Sequence, residues 1–431
     1  MQKKVTLLFI FTYLLSFTLQ AINYSMVGPI FPPQARTLHL ASYLMIGVTM
    51  SLFAVGQLIS SVLLCYLHVQ KHVFYIFILA SIFSAFSMAI FGLSDFIKSY
   101  ALYNFINSCM RFIAGLAFGS NASVHIFLTI ELFSELGAKM ISIIEVFFYI
   151  GLSIGPFLGL KLCHYFSYSF AFLFTSIFEV FISLTLIVFN QLSENSKTSR
   201  NNSSINDDDD YDSNESLGRR MFFSIDLYFI LSNVVYFDAS TTYIDGALAE
   251  IMKNVWKNTE TELEITYMPT CMVIVPFSMI SACLVIKGYT LQLLLTSFFF
   301  YSFAVLTLYL LSVTQYLAKY PAIVFLVIIM NIPRTMAGST SFIVVDIFCI
   351  DKFHQYSRKS VRAICGPLTQ VCSTMGHMLG SFIFIGVFQE YFGYQWSILF
   401  LALLGQFLSM SIFYIFYKNR TLFSKNYVKK F

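Results

Sequence analysis

Twelve long apolar runs dominate this chain, and they decide what it can fold into. They fall near residues 6–30, 41–67, 73–94, 100–130, 138–163 and 167–190, then near 222–247, 267–287, 290–313, 320–349, 363–388 and 394–417. A bilayer core of about 30 Å takes about 20 apolar residues in a helix, so each run can cross once. Hydrocarbon offers the backbone no outside hydrogen-bond partner, which favours helices over open strands. Composition bears on the same point: 58% of the 431 residues are hydrophobic and only 11% are charged, against about 25% charged in soluble domains. A soluble fold could not hide that much apolar surface. A soluble enzyme, a nucleic-acid-binding module and a disordered chain are thereby excluded.

Residues 191–220 interrupt the pattern with Asn, Ser and Asp and almost nothing to bury, the composition of a disordered segment. The expected organisation is an N-terminal six-helix bundle (1–190), a cytoplasmic linker (191–220), a C-terminal bundle (221–418) and a cytoplasmic tail (419–431). The acidic run Asp207–Asp210 could mimic a cation site, but a solvated linker explains it better. The chain begins MQKK and turns apolar, as a signal peptide would. Its apolar stretch continues through Gly28 to an expected turn at Pro32-Pro33, twice too long for one, so a retained first helix is expected. With the N-terminus in the cytoplasm, eighteen of the 26 lysines and arginines fall on the cytoplasmic side and six opposite. That asymmetry places both termini in the cytoplasm, in a vesicle, endomembrane or plasma membrane. The sequons at Asn201, Asn202 and Asn214 then face away from the glycosylation machinery.

The remaining totals narrow the partners. A net charge of +4 from 26 basic and 22 acidic residues is too balanced for a nucleic-acid partner. The eight cysteines are scattered among apolar residues with no CxxC pair or Cys/His cluster, so they read as small hydrophobes. No metal, cofactor or disulfide framework is expected. The expected partners are the lipid bilayer and a small solute, with the protein a monomer.

An internal repeat ties the two halves together. Span four contains Asn107-Ser-Cys-Met-Arg111-Phe-Ile-Ala114-Gly115, and span ten contains Asn331-Ile-Pro-Arg334-Thr-Met-Ala337-Gly338. Both read Arg-x-x-Ala-Gly at the middle of the fourth helix of a half, 223 residues apart. They also hold the only two arginines inside spans. The expected fold class is therefore an all-α polytopic membrane protein, with twelve transmembrane helices in two pseudo-symmetric six-helix bundles.

Charge inside a membrane costs a few kcal/mol or more and marks a cavity or a partner. Arg111, Glu145, Glu179, Asp238 and Arg334 lie within spans, with Asp245 and Asp346 nearer their ends. Opposite charges facing one cavity can exchange a proton, because protonating the carboxylate frees the arginine. Each residue could equally serve a structural ion pair, with Arg111 and Glu145 leaning towards function. Span five adds Gly151, Gly155 and Gly159, four residues apart, which make one smooth face for close helix approach. Pro156 inside that stripe permits a kink. Span eleven repeats the idea in Gly376-His377-Met-Leu-Gly380, where His377 reads as packing rather than as a relay. Gln20, Asn23 and Tyr24 could line a cavity from span one, or simply join helices.

In the order of these features the chain resembles the major facilitator superfamily, and within it the drug:proton antiporter group. Arg111 with Gly115 and Gly119 is similar to that group's span-four arginine motif. Gly151, Gly155, Pro156 and Gly159 match its span-five antiporter motif. Glu145, the Gly28-Pro-Ile-Phe-Pro-Pro33 end of span one and the Tyr243-Ile-Asp245-Gly-Ala-Leu end of span seven resemble the vesicular amine and polyamine transporter branch. The resemblance implies a central site and alternating access, exchanging protons for a small organic cation such as an amine or polyamine. Carried over residue by residue, it implies proton coupling through Arg111 and contact with proton or cation at Glu145. From their own chemistry, Asp238 and Arg334 are expected to join the coupling, and Gln20, Asn23, Tyr24, Glu179 and His377 to line the substrate cavity.

Two departures stand out. The loop after span two, Leu64-Cys-Tyr-Leu-His68-Val-Gln-Lys71-His72, lacks the glycine and aspartate of the family's loop latch, and Leu284-Val-Ile-Lys287-Gly288 after span eight is equally bare. Span one carries no acid for a substrate ammonium, which argues against monoamines and leaves polyamines or other cations. The lost latches also keep open a non-transporting receptor or scaffold on the same fold.

Overall fold

A computed structural model describes residues 2–66, 73–132, 137–194, 224–254, 289–313 and 358–418, with isolated positions between 262 and 284 and between 327 and 353. The linker expected at 191–220 falls mostly outside the described residues, as do the sequons, the tail at 419–431 and the loops at 67–72 and 285–288. Glu145 is described in its backbone alone.

The apolar runs are helices. Span one comprises Gln2–Ser25 and Val27–His39, span two Tyr43–Tyr66, span three Val73–Leu93, span four Tyr100–Leu132, span five Gly137–Tyr165 and span six Tyr168–Glu194. Ile225–Asn254 forms span seven, Thr290–Val313 span nine and Gly393–Lys418 span twelve. Seven helices among the described residues are long and apolar enough to cross a membrane. Spans four and seven are as long but more polar, and they carry the site described below.

The turn expected at Pro32-Pro33 is absent. The helix runs through both prolines to His39 and ends at Leu40, whose φ of 51° is left-handed. The interruption falls instead at Met26. Pro29 lacks the N–H that would reach back to the Ser25 carbonyl, and its ring crowds that carbonyl, so the turn before it opens. Span eleven also changes winding: Arg358–Met378 is α-helical, whereas Leu379–Phe388 is a π-helix with the wider i→i+5 hydrogen bonding.

Phenylalanine and tyrosine fill one large core that includes residues of both halves, among them Phe31, Phe91, Phe172, Tyr243, Phe298 and Phe384. The outer surface is apolar as well: Phe86, Phe105, Phe181, Phe303, Phe407 and Phe413 are exposed. Polar side chains such as Asn23, Asn107, Asn121, Asn233 and Asn331 are buried instead, the arrangement that lipid rather than water selects. Among the described cysteines Cys349 is buried, Cys283 is exposed and none is bridged.

The glycine stripes join the same pair of spans in each half. Added side chains at Gly151, Gly155 and Gly159 would strike span one at Thr18, Ser25 and Met26, and those at Gly376 and Gly380 would strike span seven at Val235 and Ala239. Span five on span one is the counterpart of span eleven on span seven, so the duplication extends to packing. The halves touch at the end where spans one and two connect. Gly28 lies against the Asp245 backbone, Gly47 against Gly386, and Glu390 accepts the Tyr43 N–H at 2.8 Å. A carboxylate at that position caps the start of span two and suits its helix dipole.

Candidate transport site

Span seven presents Asp238, Thr242 and Asp245 at spacings of four and three residues, hence on one helix face. Span one meets that face with Tyr24, Ser25 and Gly28, because Gly28 lets the two backbones close together. Span four adds Arg111, span two adds Met50 and Phe53, and span eleven adds His377. Tyr24, Ser25, Gly28, Met50, Phe53, Arg111, Thr242, Asp245 and His377 line one pocket between the halves.

The two repeat-related arginines differ in their surroundings. Arg334 makes a two-pronged ion pair with Asp245, at 2.8 Å to Oδ1 and 2.5 Å to Oδ2, and its Nη1 lies 3.4 Å from Asn331 Oδ1. Such fork-to-carboxylate geometry is the strong form of the interaction. Arg111 has no carboxylate partner among the described residues. It is 2% exposed, its Nε and Nη1 make no hydrogen bond, and its guanidinium lies over the Phe53 ring at 4.4 Å. The aromatic face compensates only part of the cost of burying the charge. Span one, the counterpart of span seven, has no acid to offer, and this explains the difference.

His377 joins the halves. Its Nδ1 is 2.6 Å from Thr242 Oγ1 and 3.1 Å from Tyr24 Oη, so two hydroxyls compete for one ring nitrogen. Its Nε2 is 4.0 Å from Asp238 Oδ1, while Asp238 Oδ2 is buried without a partner. The Tyr24 ring packs against Phe53 and Phe118, with centroids 5.1 and 5.5 Å away. A proton or ligand that changes the charge of His377 therefore acts on a contact between the two halves, the one with Tyr24.

Of the residues singled out in the sequence, Arg111, Tyr24 and His377 line this pocket, while Arg334 and Asp238 stand behind it, against Asp245 and His377. Gln20, Asn23 and Glu179 do not: they turn into the N-terminal bundle, where Gln20 donates to Ser81 at 3.0 Å and Asn23 donates to Glu179. The Glu145 side chain lies outside the described residues. Gly151, Gly155 and Gly159 pack span five on span one and do not line the pocket. Phe53, Met50, Thr242 and Asp245 belong to the site without having been assigned to it. The spacing of Asp238, Thr242 and Asp245 was a usable signal, whereas Phe53 looks like any other apolar residue of its span.

The pocket, lined by apolar as well as charged side chains, lies between two helical halves. A family model described as Major Facilitator Superfamily matches residues 13–364, and the chain belongs to that superfamily. It is therefore a multi-pass integral membrane protein of a transporter family rather than an enzyme. Among solved structures it is similar to the nucleoside transporter NupG in a point-mutant form, with a TM-score of 0.64 and 11% identity over 95% of this chain and 100% of that one. Unsubstituted NupG gives a TM-score of 0.62 at 11% identity, over 95% and 99% of the two chains. At that identity the likeness shows the fold alone. Curated protein sequences give no match.

Proposed function

We propose that this protein is a proton-coupled antiporter of a small organic cation of amine or polyamine type, working by alternating access. The observation that carries this reading is Asp245, which lines the pocket beside the Tyr24 and Phe53 rings while held by Arg334. An ammonium stacked on those rings would compete with Arg334 for the carboxylate, and protonating the carboxylate would release either cation. Binding and proton loading then exclude each other at one group, which is the requirement for exchange. The glycine stripe of span five, the span-four arginine motif and the ends of spans one and seven support the likeness to the drug:proton antiporter group and its vesicular amine branch. The two-bundle boundaries and the cytoplasmic placement of both termini form part of this reading.

Flux into proteoliposomes under an imposed pH gradient tests it, with amines and polyamines expected to accumulate. Glu145→Gln is expected to reduce coupled flux strongly in a folded protein, and unchanged flux would remove Glu145 from the mechanism. A second reading comes from Arg111. A guanidinium with no carboxylate partner among the described residues favours a solute carrying a carboxylate or phosphate, and transport of anions but not amines would establish it. Ligand-induced thermal stabilisation with no flux of any solute would favour a receptor.

A further inference from the structure

A second polar centre lies inside the N-terminal bundle, away from the pocket. Glu179 of span six is 1% exposed. Its Oε2 accepts from Asn23 Nδ2 of span one and lies 3.5 Å from Ser84 Oγ of span three, while its Oε1 is buried with no partner. One turn away on the same two helices, Gln20 Nε2 donates to Ser81 Oγ at 3.0 Å, and Asn121 Nδ2 of span four donates to the same oxygen at 3.2 Å. The amide oxygens of Asn23 and Asn121 are likewise buried without a donor.

Among the described residues, this cluster holds three unsatisfied acceptors and no positive charge. Span three contributes only serines, and span one only Gln20 and Asn23. Span four contributes Asn121, while its Arg111 lines the pocket instead. Span five carries Lys139, Glu145 and Lys161; the first two side chains are outside the described residues, and Lys161 lies over the Tyr165 ring at 5.2 Å. Asp95, beyond the end of span three, is bound by Gln34 at 3.1 Å and lies 3.5 Å from His39. A buried carboxylate needs a cation or a full set of donors, and one amide with one distant hydroxyl is not that set.

We propose that Glu179 is a proton-binding site of the N-terminal bundle, held as the neutral acid in this conformation. The proton on the carboxyl supplies the donor that the surrounding oxygens lack. When span one moves away from span six and water enters, the O–H bond breaks, the proton passes to water and the carboxylate is hydrated. Asn23 contacts Glu179 and its neighbour Tyr24 contacts His377, so span one carries the change to the pocket. The coupling rests on the antiport reading; proton binding does not.

Infrared difference spectra of the full-length protein in lipid nanodiscs, recorded across a pH titration, test the site without any transported solute. The protonated-carboxyl C=O band is expected at neutral pH, lost in alkali, missing from Glu179→Gln and retained in Asp238→Asn and Glu145→Gln. Thermal unfolding provides a second readout. Wild type is expected to lose stability as pH rises, because a carboxyl neutral when folded ionises on unfolding and favours the unfolded state. Glu179→Gln is expected to lose that slope. A Glu179→Gln spectrum matching wild type would overturn the proposal, as would an ionised Glu179 at neutral pH. Loss of the band on adding sodium at constant pH would also overturn it, in favour of a metal-cation site. Absence of flux from wild-type liposomes would count against the antiport reading and leave the infrared result standing.

Discussion

Arg111 and Arg334 occupy equivalent places in the two halves, and among the described residues only Arg334 has a carboxylate partner. Removing each should therefore have unequal consequences for stability. Arg334→Met strands Asp245; losing one partner of a buried pair costs about 3–5 kcal/mol. The lower end is expected here, since the two side chains are 17% and 30% exposed. Arg334→Met combined with Asp245→Leu should lose less than the sum of the single changes. Arg111→Met strands no partner and relieves a buried charge, so its melting should stay within about 1 kcal/mol of wild type, the scale of the Phe53 contact it gives up. Flux should nevertheless collapse. Melting curves and proteoliposome uptake on the same preparations check both statements, and a large stability loss in Arg111→Met would show that a partner had been missed. The sequence makes the two arginines visible because so few charges lie inside spans. It does not show which one is paired, because that depends on where Asp245 points once span seven meets span ten.

At the level of single helices, the glycine stripe of span five was legible because four-residue spacing needs no knowledge of the partner. Its partner, span one, had to come from the structure. A methyl group at Gly155 would run into Ser25 Oγ and the Ile22 carbonyl; the hydroxyl can rotate but the backbone cannot. Gly155→Ala should cost about 1–3 kcal/mol, the usual range for overpacking. Gly386→Ala should cost little, because its added carbon would meet Gly47 Cα at an ordinary 3.5 Å. Thermal melts of the two variants separate a required close approach from a merely frequent residue. The prolines show where pattern reading stops. Pro32-Pro33 signals a turn by composition, yet the helix continues, because neighbouring spans can support a backbone that lacks a few hydrogen bonds. Pro29, which the sequence presents only as part of the Gly28–Pro33 segment and not as a break, accounts for the interruption at Met26.

For the molecule as a whole, spans were legible from length and hydropathy, and the duplication from one five-residue repeat. Contact between the halves was not, since it rests partly on small residues, Gly28, Gly47 and Gly386, and partly on pairings such as Tyr24 with His377 that only the folded helices bring together. Gly47→Ala would drive its methyl to 2.6 Å from Gly386 Cα, with backbone on both sides and nothing that can rotate away. The halves should separate at the end held by Glu390 and Tyr43, and Glu390→Gln should weaken the same contact. Labelling of Met50→Cys with a membrane-impermeant thiol reagent should accelerate from that side in both backgrounds; unchanged labelling would mean that closure does not depend on this contact.

The π-helical stretch of span eleven carries a mechanical consequence. Its hydrogen bonds reach one residue further than those of the α-helix before it, so a shift of the boundary by a few residues exchanges one pairing scheme for the other. Each exchange turns the distal part of the helix relative to the proximal part, without unfolding either. His377 and Gly380, near the start of this stretch, touch Thr242 and Ala239 of span seven, while Gly386 and Glu390, near its end, touch Gly47 and Tyr43 of span two. Both parts of span eleven pack against span two and span seven, so such a shift would change its contacts with both halves at once, a joint written into the winding of the backbone and invisible in side-chain chemistry.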